Sequence, residues 1–184
     1  MKILMTGHTS PIGSVLFEHL SFTHQVTGIS RQSGYDLNKF EDIQKIINDS
    51  INYDHFINLA HVGDAQCQLL SLIYKKWSEV NHLGKIISFG TLGTELPEDI
   101  LKKTGTDLDY FKKKIHLENI HKCLSIQKIF GIQPQSVLIR ILNFGKKTGS
   151  RQGEPSCNKE EIIRTVDYVL NETLYISKID LRKI

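Results

Sequence analysis

The first sixteen residues, MKILMTGHTSPIGSVL, constrain the fold more than any other stretch of the chain. Lys2 to Thr6 is an apolar run of strand length, and Gly7 lets the chain turn sharply as it leaves that run. Ser10 stands where it can cap a helix. Pro11 takes the first helical position, where its missing N–H costs nothing, and Gly13 lets the helix pack close to the strand. Such a helix directs its free amides and the positive end of its dipole at the turn, which makes the turn a place for an anion. The same residues also serve in an ordinary capped strand-to-helix turn.

The pattern then repeats. Runs rich in Ile, Val and Leu alternate with amphipathic stretches of helical period, the sequence sign of βαβ units around a parallel sheet. Strands are expected at Lys2 to Thr6, Gln25 to Ser30, His55 to Leu59, Lys85 to Phe89, Ser136 to Leu142 and Leu174 to Leu181. Helices are expected over Pro11 to Leu20, Lys39 to Asn48, Asp64 to Val80, Leu108 to Ile129 and Lys159 to Leu170. Asn38 is read as the cap of the second helix, with Glu41 as its capping-box partner, and Gly131 as the end of the fourth. The expected architecture is α/β. It is one three-layer αβα domain over residues 1–184, with a mostly parallel, doubly wound sheet of about six to seven strands.

Composition removes several function classes. The formal charge of +3 is spread along the chain, without the basic stripe interleaved with aromatics that nucleic acid calls for. Cys67, Cys123 and Cys157 are far apart and show neither disulfide nor zinc spacing, and the eight histidines show no ligand spacing. No metal is implied. The sequence opens directly on MKILMTG with no leader, and no later apolar run has bilayer length, so a cytoplasmic protein without a membrane partner is expected.

The spacing Gly7, Ser10, Gly13 departs at its middle position from the three-glycine dinucleotide fingerprint, while its place between a strand and a helix at the start of a βαβ unit is the context that fingerprint requires. A phosphate-binding Walker A loop is excluded, because no Gly-Lys-Ser/Thr follows. TGHTSPIG resembles the TGxxxGxG of the short-chain dehydrogenase/reductase superfamily, with Pro11 where its second Gly usually stands. Further segments resemble that family in order. INLAH, residues 57–61, is similar to its cofactor-supporting NNAG or HLAA segment, with His61 replacing a small residue. Tyr35-Asp36-Leu37 resembles its Asp-Val/Ile segment, and KIISFGT places Thr91 where it keeps a Ser or Thr. Tyr110 and Lys114 match its YxxxK, and Glu118 extends this to the YxxxKxxxE of the sugar-nucleotide branch. The helix expected between strand two and Asp36 is reduced to a loop, as in the dTDP-4-dehydrorhamnose reductases. The position for the helix-borne Asn of the catalytic tetrad is missing.

The resemblance implies a Rossmann-type fold and a nicotinamide cofactor held by Gly7, Thr9, Ser10, Ile12, Gly13, Ser30, Arg31, Asp36, Leu37, Asn58, Leu59, Ala60, Lys114 and Asn143. Asp36 would hydrogen-bond the adenine amino group, and Asn143 with Gly145 would border the nicotinamide. Ser30-Arg31 replaces the acidic residue that binds an unphosphorylated ribose, so NADP is expected in preference to NAD.

Tyr110, Lys114 and Thr91 are the expected catalytic residues. Lys114 lies one helical turn from Tyr110. A neighbouring ammonium favours the phenolate and lowers a tyrosine that otherwise titrates near pH ~10, each unit being ~1.4 kcal/mol. Thr91 would polarise the substrate oxygen. Tyr35 and Lys39 share the YxxxK spacing, but they belong to the shortened loop near the adenine. Arg140, inside the strand SVLIRIL, reads as a structural ion-pair residue. The expected function is hydride transfer between the cofactor and a small carbonyl or hydroxyl substrate, in a possible homodimer. A sugar-nucleotide ketoreductase or epimerase and a non-catalytic NADP-binding sensor are the alternatives.

Overall fold

The computed structural model describes residues 1–103, 107–129, 134–142 and 156–182. In chain order its elements are β1 (Lys2–Thr6), α1 (Pro11–Ser21), β2 (Gln25–Ile29), α2 (Phe40–Ser50), β3 (His55–Asn58) and α3 (Ala65–Glu79). These are followed by β4 (Lys85–Thr91), α4 (Glu98–Lys103), α5 (Leu108–Ile129), β5 (Gln135–Ile141), α6 (Lys159–Asn171) and β6 (Lys178–Leu181). The strands form one six-stranded sheet in the order β2-β1-β3-β4-β5-β6. Every pairing is parallel.

Parallel strands must be covered on both faces, and their sequences show it. All seven positions of β4 are buried. One face carries α2, α3 and α5 around Phe56, Trp77 and Leu117, and the other carries α1 and α6 around Leu16, Ile57 and Val166. The described residues form the expected three-layer αβα architecture.

The sheet has six strands because the chain after β2 makes only a short 3-10 turn, Arg31–Ser33, and reverses through Gly34 at φ +87. That shortened loop leaves β2 on the edge. Thr6 of β1 pairs with Ile29 of β2 and with Asn58 of β3. The chain leaves β1 first to one side and then to the other, so the three strands end together at a switch point, where such sheets hold ligands beyond their carboxyl ends.

Several expectations fail locally. α2 starts at Phe40 with Lys39 at its N-cap, and no side chain caps it. The Asn38–Glu41 capping box is absent because Asn38 donates its side-chain amide to Asp36 Oδ1 at 3.1 Å. The Asp36 N–H goes instead to Asp42 Oδ2 at 2.9 Å. α4 was not expected, β4 continues to Thr91, and the last strand is confined to Lys178–Leu181. Gly131 lies outside the described residues.

Candidate functional site

The opening turn is shaped by close backbone approach. Gly7 sits at φ +73, and a Cβ there would lie 2.7 Å from the Ala60 nitrogen. A Cβ on Gly13 would lie 2.0 Å from the Gly7 carbonyl oxygen. Neither position admits a side chain. Ser10 Oγ accepts from the Gly13 N–H at 3.1 Å, and Pro11 opens α1 as expected. Thr6 Oγ1 accepts from the N–H groups of Leu59 at 3.2 Å and Ala60 at 3.4 Å, which ties the ends of β1 and β3 together.

Above this floor lies a cleft of about 350 Å³, lined by Gly7, Thr9, Ser10, Ser30, Arg31, Asp36, Leu37, Ala60 and His61, among others. Eight of the expected cofactor residues therefore meet on one surface. Asp36 accepts from the Asn38 N–H at 3.0 Å and from its side chain. Those bonds, helped by the charges of Lys39 and Arg31, hold its carboxyl below the usual range. Arg31 is exposed on the rim.

Other expected residues stand behind the cleft. Ile12 packs into the core beneath α1, and Leu59 is buried there too. Gly13 is buried where the helix meets the turn. Asn58 is fully buried, and its side-chain amide donates to the Gln66 carbonyl at 2.8 Å. These four support the surface without lining it. Asn143 and Gly145 lie outside the described residues.

Beyond His61 the site changes character. The His61 ring meets Tyr110 edge-on with centroids 4.7 Å apart, so His61 stands between the cleft and the first turn of α5. Lys114 is 5% exposed. Its Nζ donates to Gln66 Oε1 at 2.7 Å and to the Phe89 carbonyl at 2.9 Å. Gln66 donates its own amide to the Asn58 carbonyl at 2.8 Å and to the Phe89 carbonyl at 3.1 Å. Burial brings Lys114 down to about 8.

The expected lowering of Tyr110 does not occur. Lys114 Nζ lies 5.5 Å from the centre of the Tyr110 ring, turned towards Gln66, and burial pushes the phenol up. Thr91 is buried and accepts from the Gly93 N–H at 3.1 Å, holding the turn that follows β4.

Two features escaped the sequence reading. Gln66 is one; its signal was a polar residue in phase with the buried Leu69, Leu70 and Ile73 of α3. The other is the full reach of Arg140, which bonds Asp180 at 2.6 and 2.7 Å, Glu95 at 2.6 Å and Glu118 at 3.2 Å. The structural ion pair expected of Arg140 is a cluster, and it holds the Glu118 that extended the YxxxK pattern.

Neither a protein-family model nor a curated protein sequence matches the chain. Solved structures do. The 3-alpha-hydroxysteroid dehydrogenase of Pseudomonas sp. B-0831, complexed with NADH, superposes with a TM-score of 0.70 at 15% identity, over 98% of this chain and 95% of that one. The 3-ketoacyl-(acyl-carrier-protein) reductase of Brucella melitensis, also with NADH, gives 0.72 at 11% identity over 98% and 96%. The UDP-N-acetylglucosamine 4-epimerase of Bacillus cereus gives 0.70 at 17% identity, over 98% of this chain and 77% of its own.

Proposed function

We propose, from the Rossmann-type fold that this chain shares with short-chain dehydrogenase structures, that it is an NADP(H)-dependent oxidoreductase acting on a small carbonyl or hydroxyl substrate. The observation that carries the reading is the cleft that runs from the glycine turn past Arg31 and Asp36 to His61, whose ring meets Tyr110. The residues fit a dinucleotide. Gly7 and Gly13 leave a backbone cradle that any Cβ would fill, and the capped start of α1 presents its amides and dipole to a pyrophosphate. Arg31 would meet a 2′-phosphate on the ribose, and Asp36 the adenine amino group.

When bound, the cofactor supplies hydride. The chain supplies the proton and its control. Tyr110, whose phenol is pushed up by burial, donates its proton to the substrate oxygen in the direction of reduction. Lys114 keeps an ammonium beside it, and Thr91 orients the substrate oxygen. Among the described residues no helix is long and apolar enough to cross a membrane.

One observation favours the sensor reading. Lys114 spends two of its donors inside the protein and turns them away from the cleft. Turnover decides between the two readings. The test is NADPH oxidation with a panel of aldehydes and ketones, comparing the wild type with Tyr110→Phe. Turnover that falls by about 10²-fold or more in the variant supports Tyr110 as acid. NADPH binding without turnover on any carbonyl supports the sensor, and undiminished turnover in Tyr110→Phe removes the catalytic assignment.

A further inference from the structure

We propose that Gln66 is the positioning residue of this site, holding the Lys114 ammonium by its side-chain oxygen and aiming the remaining donor of that ammonium at the Tyr110 side. The inference rests on the oxidoreductase reading above.

The amide cannot be turned round. Its nitrogen has two hydrogens, and both are engaged, one on the carbonyl of Asn58 at the end of β3 and one on that of Phe89 in β4. Oε1 is therefore the end that faces Lys114, and a flipped amide would set N–H groups against an ammonium and two carbonyls against an oxygen. Asn58 closes the loop by donating to the Gln66 carbonyl at the start of α3. Gln66 is 3% exposed, so water does not compete for these bonds. It ties β3, β4, α3 and α5 together at one atom group.

A lysine ammonium has three donors. Gln66 and Phe89 take two, which fixes the direction of the third. The chain holds its buried cations in two ways: Arg140 by the carboxylates of Glu95, Glu118 and Asp180, and Lys85 by the backbone carbonyls of Val169, Leu170 and Glu172. Lys114 differs from both, because one of its partners is the side-chain oxygen of Gln66 and its ammonium lies 5.5 Å from the centre of the Tyr110 ring. Around Lys114 the bonded partners are neutral. The titratable groups near it are Cys67 on α3, His61 after β3, and Tyr110 and Lys113 on its own helix. Glu118, the next acid along α5, is held by Arg140 and by the Thr94 hydroxyl. A cation held by neutral oxygen alone gives up its proton more readily than an ion-paired one. Burial accordingly leaves Lys114 at about 8, within reach of the working pH.

The test uses the ligand-free full chain with its lysine side chains carbon-13 labelled. The Lys114 Cε resonance, assigned by its loss in Lys114→Met, is followed against pH in the wild type, Gln66→Glu and Gln66→Met. The carboxylate of Gln66→Glu should raise the Lys114 midpoint by about one pH unit or more, and the apolar side chain of Gln66→Met should lower it. The alkaline limb of NADPH-linked turnover should move in the same directions. A Lys114 midpoint that stays at the wild-type value in either folded variant overturns the proposal, as does a turnover profile that ignores a moved midpoint. Absence of NADPH binding by the wild type would instead sink the oxidoreductase reading, and the ligand-free titration separates that failure from this one.

Discussion

The two ends of the site are built differently. At the turn end, the shape of the cleft depends on two backbone positions where a side chain does not fit. At the α5 end, the working groups are buried side chains that hold one another, Lys114 on Gln66 and Glu118 on Arg140. The first end offers shape and oriented amides, with the charges of Arg31 and Asp36 on its lining. The second end is organised by contacts within the chain. Burial of the Lys114 ammonium lowers its pKa there.

If the ends are separate, damage to one should spare the other. The largest effect is expected from Arg140→Met, which leaves three carboxylates around an apolar side chain. Because Glu95 and Asp180 can partly turn to solvent, urea unfolding should show a loss of about 3 kcal/mol, at the low end for a broken buried pair. Binding of 2′,5′-ADP to the folded variant should be unchanged. A parallel loss of binding would show that the two ends are one unit.

Next comes the pH dependence of stability. Lys114 titrates at about 8 in the folded chain. In the unfolded chain it titrates at about 10.4, so the unfolded state holds more protons between these values and stability from this group rises with pH across that window. The gain should approach about 3 kcal/mol by the top of it, measured as wild type minus Lys114→Met. A flat difference would place the ammonium in water. At the turn end, Gly13→Ala must displace the Gly7 carbonyl, which should cost about 2 kcal/mol and abolish nucleotide binding, as read by thermal unfolding and by titration. The smallest effect is expected of Arg31→Ala. It should lower the preference for NADPH over NADH by about tenfold, or about 1.4 kcal/mol, without altering stability.

The same division governs what could be read from the sequence. The turn end is legible because most of its causes are local: Ser10, Pro11 and Gly13 act within a few residues of one another, and only the approach of Ala60 to Gly7 comes from far along the chain. Even a near neighbour can mislead. Asn38 looked like a helix cap, but Asp36 takes its side chain and α2 begins later. The α5 end was legible only in part. Spacing puts Lys114 one turn from Tyr110 and says nothing of where the ammonium goes, which is decided by Gln66, 48 residues away. The expected drop in the Tyr110 pKa fails because burial pushes the phenol up instead. Asn58 and Leu59 were found as a motif, yet their burial, a tertiary property, makes them supports of the cleft.

The central claim is that the cleft above the opening turn holds a phosphorylated dinucleotide. Its most direct test is calorimetric titration of the wild-type chain with NADPH, with NADH and with 2′,5′-ADP. The account predicts saturable binding of all three, NADPH tighter than NADH, and displacement of NADPH by 2′,5′-ADP. Absence of saturable binding for all three at millimolar concentration would contradict it.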